Sequence, residues 1–166
     1  EKNSDRLHRL DELKREIDEL LNFPKRNHQN KKQRIHYKPK PLEIQSSSGL
    51  IIQIGRNHRQ NEWISLQKAR SGDIWFHVQE CPGSHVVLKA SLGPAEEQDL
   101  QLAADLAAFF SKAKGNERVS VLMVPTDNLQ RIPGAGPGTV RHRGGEVCWG
   151  KPERGLKHIC PDQLLA

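Results

Sequence analysis

Asp73-Ile74-Trp75-Phe76-His77-Val78-Gln79 and Ser84-His85-Val86-Val87-Leu88-Lys89-Ala90, joined through Pro82-Gly83, decide the fold of this chain. In the first run Ile74, Phe76 and Val78 alternate with Trp75, His77 and Gln79. In the second, Val86, Leu88 and Ala90 alternate with His85, Val87 and Lys89. Period-two patterning of this kind marks half-buried strands. If the aliphatic sets share the core face, Trp75, His77, His85 and Lys89 share the opposite one. An aromatic ring, two imidazoles and an amine on one sheet face suit base stacking and phosphate contact. The histidines are equally open to a structural reading, bonded to carbonyls behind the sheet. Pro82-Gly83 favours a type II turn, whose twist fits a two-residue hairpin poorly, so the loop is expected to be wider.

Upstream, Leu42–Gln45 and Leu50–Ile54 read as short strands around a Ser46-Ser47-Ser48-Gly49 turn. Gly55-Arg56-Asn57 closes the second, and a helix is expected from about Gln60 to Arg70. Asn57 or Asn61 is suited to cap it, and Gly72 to follow its end. Arg56, His58 and Arg59 then gather at a helix N-terminus, where free N–H groups favour a phosphate. Arg70 reads instead as a partner for Asp73 or a carbonyl.

Downstream, Gly93-Pro94 opens the strongest helical pattern, with Pro94 at the first position and Glu96, Glu97 and Asp99 complementing the N-terminus. Leu102, Leu106, Phe109, Phe110 and Ala113 form its apolar stripe, and Lys112, Lys114 and Gly115 close it. The nearly continuous apolar run Val119–Val124 makes strand, helix and strand a right-handed crossover. Leu129–Arg143 is a glycine- and proline-rich loop bordered by Arg131, Arg141, His142 and Arg143. It is no phosphate-cradling P-loop, because no Gly-Lys-Ser/Thr follows. It serves either as a tight crossing at the sheet edge or as a backbone surface whose flanking arginines grip phosphates. Glu146–Trp149 is a last strand, and the tail beyond Lys151 is basic and turn-rich.

The ends differ in character. From Ser4 to Asn22, Leu7, Leu10, Ile17 and Leu21 recur at helical spacing, with Leu13 and Leu20 widening the stripe. That is only about two and a half heptads, too few for a coiled coil alone. Residues 23–41 form a basic linker: Lys25, Arg26, Lys31, Lys32, Arg34, Lys38 and Lys40 face no acid, and prolines at 24, 39 and 41 break any helix. Such a run lies along phosphates without sequence preference.

Composition narrows the function. The 166 residues carry a net charge of +6, which favours an anionic partner, nucleic acid before membrane. No stretch approaches eighteen apolar residues, so no membrane span is expected. Mean hydropathy of −0.72 and 35% hydrophobic residues place much of the polarity outside a core. Three cysteines, Cys81, Cys148 and Cys160, with no Cys-x-x-Cys pair point to a reducing, cytoplasmic setting. The first residues are charged rather than signal-like, and the missing initiator Met reads as a fragment of a longer protein. His77, Cys81 and His85 offer an alternative reading, a metal-dependent or nucleic-acid-processing enzyme. Strand geometry does not gather that spacing into a ligand set, and no carboxylate accompanies it.

Gly55-Arg56-Asn57, Asn61, Ala69-Arg70-Ser71-Gly72-Asp73, Trp75-Phe76-His77-Val78, Pro82 to Leu88 and Pro133-Gly134-Ala135-Gly136-Pro137-Gly138-Thr139-Val140 together resemble the NFACT-R domain. This is the RNA-binding module of the NFACT ribosome quality-control proteins, whose bacterial members are often labelled fibronectin-binding proteins. The resemblance spans roughly residues 42–158, with the end of the family's coiled coil before it. It implies a binding module, not an enzyme, with no cofactor and no metal. Its implied partners are tRNA, large-subunit rRNA and other domains of the full-length protein, on obstructed large subunits where charged tRNA extends the stalled chain. The N-terminal domain that also meets tRNA is absent, so tail addition by this chain alone is not expected.

The expectation is therefore an α+β domain over 42–158: a mixed β-sheet with one long packed helix and a short one. A coiled-coil-like helix over 1–22, the linker 23–41 and a tail 159–166 flank it. The nucleic-acid-binding candidates are Arg56, Asn57, Arg59, Trp75, His77, His85, Lys89, Arg131, Arg141 and Arg143.

Overall fold

The computed structural model describes residues 2–21 and 38–164. Lys25, Arg26, Lys31, Lys32 and Arg34 of the basic run lie outside the described residues. The chain divides into two compact units, residues 1–38 and 39–166. In the first, α1 is a helix over Lys2–Leu21, and its Leu7, Leu10, Leu13 and Ile17 are exposed.

The second unit is α+β. Its six-stranded sheet runs in the order β1 (Leu42–Gln45), β2 (Ile51–Ile54), β4 (Val86–Leu88), β3 (Ile74–Val78), β5 (Val119–Pro125), β8 (Glu146–Gly150). Every neighbouring pair is antiparallel. The α+β class holds, but the sheet is antiparallel throughout rather than mixed, because β4 and β5, the strands joined through the long helix, are not neighbours and both pair with β3. The chain makes that crossing through α3 (Glu97–Phe109).

Helix α3 starts three residues later than Pro94 would place it. Glu96 is the N-cap, and its backbone N–H donates to Asp99 Oδ2 at 2.8 Å, so the acidic opening supplies its own capping box. The buried face of α3 (Leu102, Ala103, Ala104, Leu106, Ala107, Ala108) packs on Ile52, Ile54, Phe76, Val78, Val86, Leu88 and Val121. Among them, Phe76, Val78, Val86 and Leu88 are the alternate strand positions that the period-two reading assigned to one face. Small residues on α3 also admit α4 (Pro152–Leu156) closely. A Cβ on Gly155 would stand 2.5 Å from the Asp105 carbonyl oxygen, so the approach needs glycine. Arg154 pairs with Asp105 at 3.0 Å, and Ile159, beyond the expected boundary at His158, is buried in this core.

The glycine- and proline-rich segment is not wholly a loop. Leu129–Arg131 (β6) and Val140–His142 (β7) pair antiparallel, Gln130 opposite Arg141, as a separate two-stranded ribbon. The expected helix after Asn57 is α2 (His58–Glu62), continued by a π-helical turn over Trp63–Gln67. A short helix α5 (Pro161–Leu164) ends the described chain.

Candidate nucleic-acid interface

The sheet's second face carries the residues singled out in sequence. Trp75 and His77 stack at 5.5 Å with planes 5° apart, and His85 meets both rings edge-on at 5.3 and 5.4 Å. The alternation therefore places Trp75, His77 and His85 together, as expected. Their exposure is different from expectation. Ile64 from the π-helical turn and Leu129 from β6 close over Trp75, Val87 and Val124 as a second core, leaving Trp75 4% exposed. The π-helical turn and the ribbon supply this cover, packing Ile64 and Leu129 on the ring.

Three candidates are thus corrected. Trp75 is a core ring whose indole Nε1–H is buried without a hydrogen-bond acceptor, rather than a free stacking surface. His85 is buried, its Nδ1 2.8 Å from Ser65 Oγ, and its backbone N–H donates to Asn61 Oδ1 at 3.2 Å. Burial, reinforced by the nearby His77 and His58, lowers its pKa to about 3, so the ring is neutral at ordinary pH. Lys89 is buried too, its ammonium paired with Asp73 Oδ2 and donating to the Lys68 carbonyl at 3.1 Å. Burial pushes the Asp73 carboxyl up, but hydrogen bonds from Lys89, Ser91 and Arg70 outweigh it and hold the pKa below the usual value. The backbone of Arg70, not its guanidinium, serves Asp73, at 2.9 Å.

His77 is half-buried, its ring nitrogens 2.6 and 3.2 Å from the carbonyl oxygens of Val78 and Gly83. Burial lowers its pKa, against the pull of those two carbonyls. With His77 held by carbonyls and His85 by Ser65, the His77–Cys81–His85 set is not assembled. Among the described residues no group of three His, Cys, Asp or Glu is placed to hold a metal ion.

At helix α2, Asn57 is the N-cap, its side chain accepting from the Gln60 N–H at 2.9 Å. Arg56 is exposed, and its guanidinium donates to the carbonyls of Gln163 and Leu164 at 2.9 and 3.3 Å, which ties α5 to the end of β2. Arg59 is exposed beside His58. Arg131 pairs with Glu62 and so joins the ribbon to α2. Arg141 and Arg143 are exposed on and after β7.

These pieces converge on an open pocket of about 560 Å³, lined among others by His58, His77, His85, His142, Gly138 and Leu122. Gly138 brings the ribbon's loop against α2. It has φ +80°, and a Cβ there would lie 2.9 Å from the His58 carbonyl oxygen. His58 and His142 thereby line one cavity, while their sequence neighbours Arg59, Arg141 and Arg143 are exposed and are not among its lining residues. Sequence reasoning missed this union because nothing local joins residue 58 to residue 138. The unusual run of glycines was the available signal.

Comparison with known proteins identifies the family. Residues 40–144 match the family described as the NFACT protein RNA binding domain. The chain is 38% identical over 136 residues to the Rqc2 homolog RqcH of Streptococcus suis, covering 81% of this chain and 24% of that protein. It is 40% identical over 119 residues to the Rqc2 homolog RqcH of Bacillus subtilis, covering 72% and 20%. Each of these relatives is thus four to five times longer than the shared region. A solved structure, the C-terminal part of the fibronectin/fibrinogen-binding protein from Streptococcus suis, is similar with a TM-score of 0.66 at 36% identity. That match covers 89% of this chain and 58% of the solved one.

Proposed function

The chain belongs to the NFACT protein RNA-binding domain family, and from that premise we propose that it is the RNA-gripping module of a ribosome quality-control factor. Its partners in this reading are tRNA and large-subunit rRNA, alongside other domains of a longer cytoplasmic protein that extends stalled nascent chains. The module itself binds and does not catalyse. Among the described residues no helix is long and apolar enough to cross a membrane.

One observation carries the reading. Arg59, Arg141 and Arg143 are exposed, and each is next in sequence to a histidine, His58 or His142, that lines the pocket. Exposed guanidiniums neutralise phosphates and release their counterions, which gives affinity without sequence preference. Arg56 and Arg131 serve the fold through α5 and Glu62.

The test is a salt series on the 166-residue chain with tRNA, an rRNA fragment and duplex DNA. Replacing Arg59, Arg141 and Arg143 together by Ala should weaken binding to both RNAs alike and lower the salt slope by up to about three. Each substitution should change stability by no more than about 0.5 kcal/mol. An unchanged slope in the folded triple variant removes these three arginines from the interface.

A further inference from the structure

The second face of the sheet is covered only in part. Strand register continues it past the pocket: His77 is opposite Leu122, Leu122 opposite Val147, and Ser120 opposite Trp149. Leu122 lines the pocket, so Val147 and Trp149 extend its floor out to the sheet edge. Val147 and Trp149 are 53% and 51% exposed, although both lie in a well-paired strand. Their neighbours Glu146 and Cys148 alternate to the other face, where Cys148 packs on the main core. The Arg118 guanidinium lies over the Trp149 ring, 4.7 Å from its centroid.

We propose that this open half-face is a stacking platform for unpaired nucleotides, with Trp149 as the base-stacking residue and the histidine-lined pocket at its inner end. The inference rests on the RNA-binding reading above and gives that reading its ligand class: single-stranded rather than duplex RNA. The chemistry on the page favours RNA over a protein occupant. An arginine lying over an indole face gives a flat, cationic double layer, on which a base stacks while its phosphate meets the charge. From Trp149 to His77 is two strand spacings and one two-residue step, about 12 Å. Sheets that stack two or three bases on exposed rings work over comparable lengths. A duplex has no unstacked base to offer such a platform.

The experiment measures fluorescence anisotropy of a labelled single-stranded RNA dodecamer and of a matched RNA duplex on the 166-residue chain. It compares wild type, Trp149→Ala, Trp149→Phe and the triple arginine variant, with thermal melts confirming the fold. Trp149→Ala should weaken single-strand binding roughly five- to a hundredfold and leave the duplex unaffected. Its salt slope should match wild type, because stacking releases no counterions. Trp149→Phe should recover part of the loss. Wild-type single-strand affinity in Trp149→Ala, with the arginine variant impaired, overturns the platform and leaves the RNA-binding reading standing. Equal weakening of duplex and single strand overturns it as well. So does concentration-dependent self-association that Trp149→Ala abolishes while RNA affinity is unchanged, since the face would then bind protein. Failure of the wild-type chain to bind either RNA overturns both readings.

Discussion

Trp75 and Trp149 lie on the same face of one sheet, and they do opposite work. Trp75, on the inner strand β3, sits under the π-helical turn and the β6–β7 ribbon at 4% exposure. Trp149, on the edge strand β8, is 51% exposed beneath only an arginine. Both obey the same period-two alternation, so alternation says which face a side chain takes and nothing about what covers that face. Cover is decided by segments far away in sequence, here Trp63–Gln67 and Leu129–His142.

The contrast is easiest to break by truncation. Trp75→Ala should cost about 3–5 kcal/mol in chemical denaturation, the range for deleting a buried aromatic. A loss under 1 kcal/mol would mean the second core is not closed. Next in size is the pH dependence of that core. His85 has a folded pKa near 3 against an ordinary 6.5, so between these values the unfolded chain binds a proton that the folded chain refuses. Stability should therefore be independent of His85 above pH 6.5 and fall as pH drops below it, by up to roughly 1.4 kcal/mol per unit. The shift of His77 is in the same direction and adds to the fall. Urea titrations at pH 7.5 and 5.0, with His85→Gln as the control, read this directly. A His85→Gln variant as acid-sensitive as wild type would assign the fall elsewhere. The smallest effect belongs to the link between ribbon and helix. Arg131 is 59% exposed in its pair with Glu62, so Arg131→Ala should cost less than about 1 kcal/mol by thermal melt. A larger loss would make the ribbon a structural clamp.

Strand-local and helix-local features were legible in the sequence. The pairing faces of β3 and β4, the Asn57 cap, the wide loop at Pro82-Gly83 and the helix after Gly93 all follow from spacing and turn chemistry. What could not be read was long-range. Lys89 in a polar position looks like a surface amine until Asp73, sixteen residues away, is placed against it. Arg56 looks like a phosphate ligand until the chain returns more than a hundred residues later to offer two carbonyls. Trp149 passed as ordinary strand filling because nothing near it in sequence shows that β8 is an edge.

The buried pair of Lys89 and Asp73 bears on how the sheet avoids assembling wrongly. β4 is three residues long and is clasped between β2 and β3, too short for its own side chains to index it. A slip of one residue would turn Val86 and Leu88 outward and swing Val87 into the main core, with little change in apolar character. The same slip would carry the ammonium away from a carboxylate that has no exposure to water, and an uncompensated buried charge costs about 3–5 kcal/mol. The ion pair thus works as a proofreading element, rejecting a misthreaded strand that hydrophobicity alone would accept.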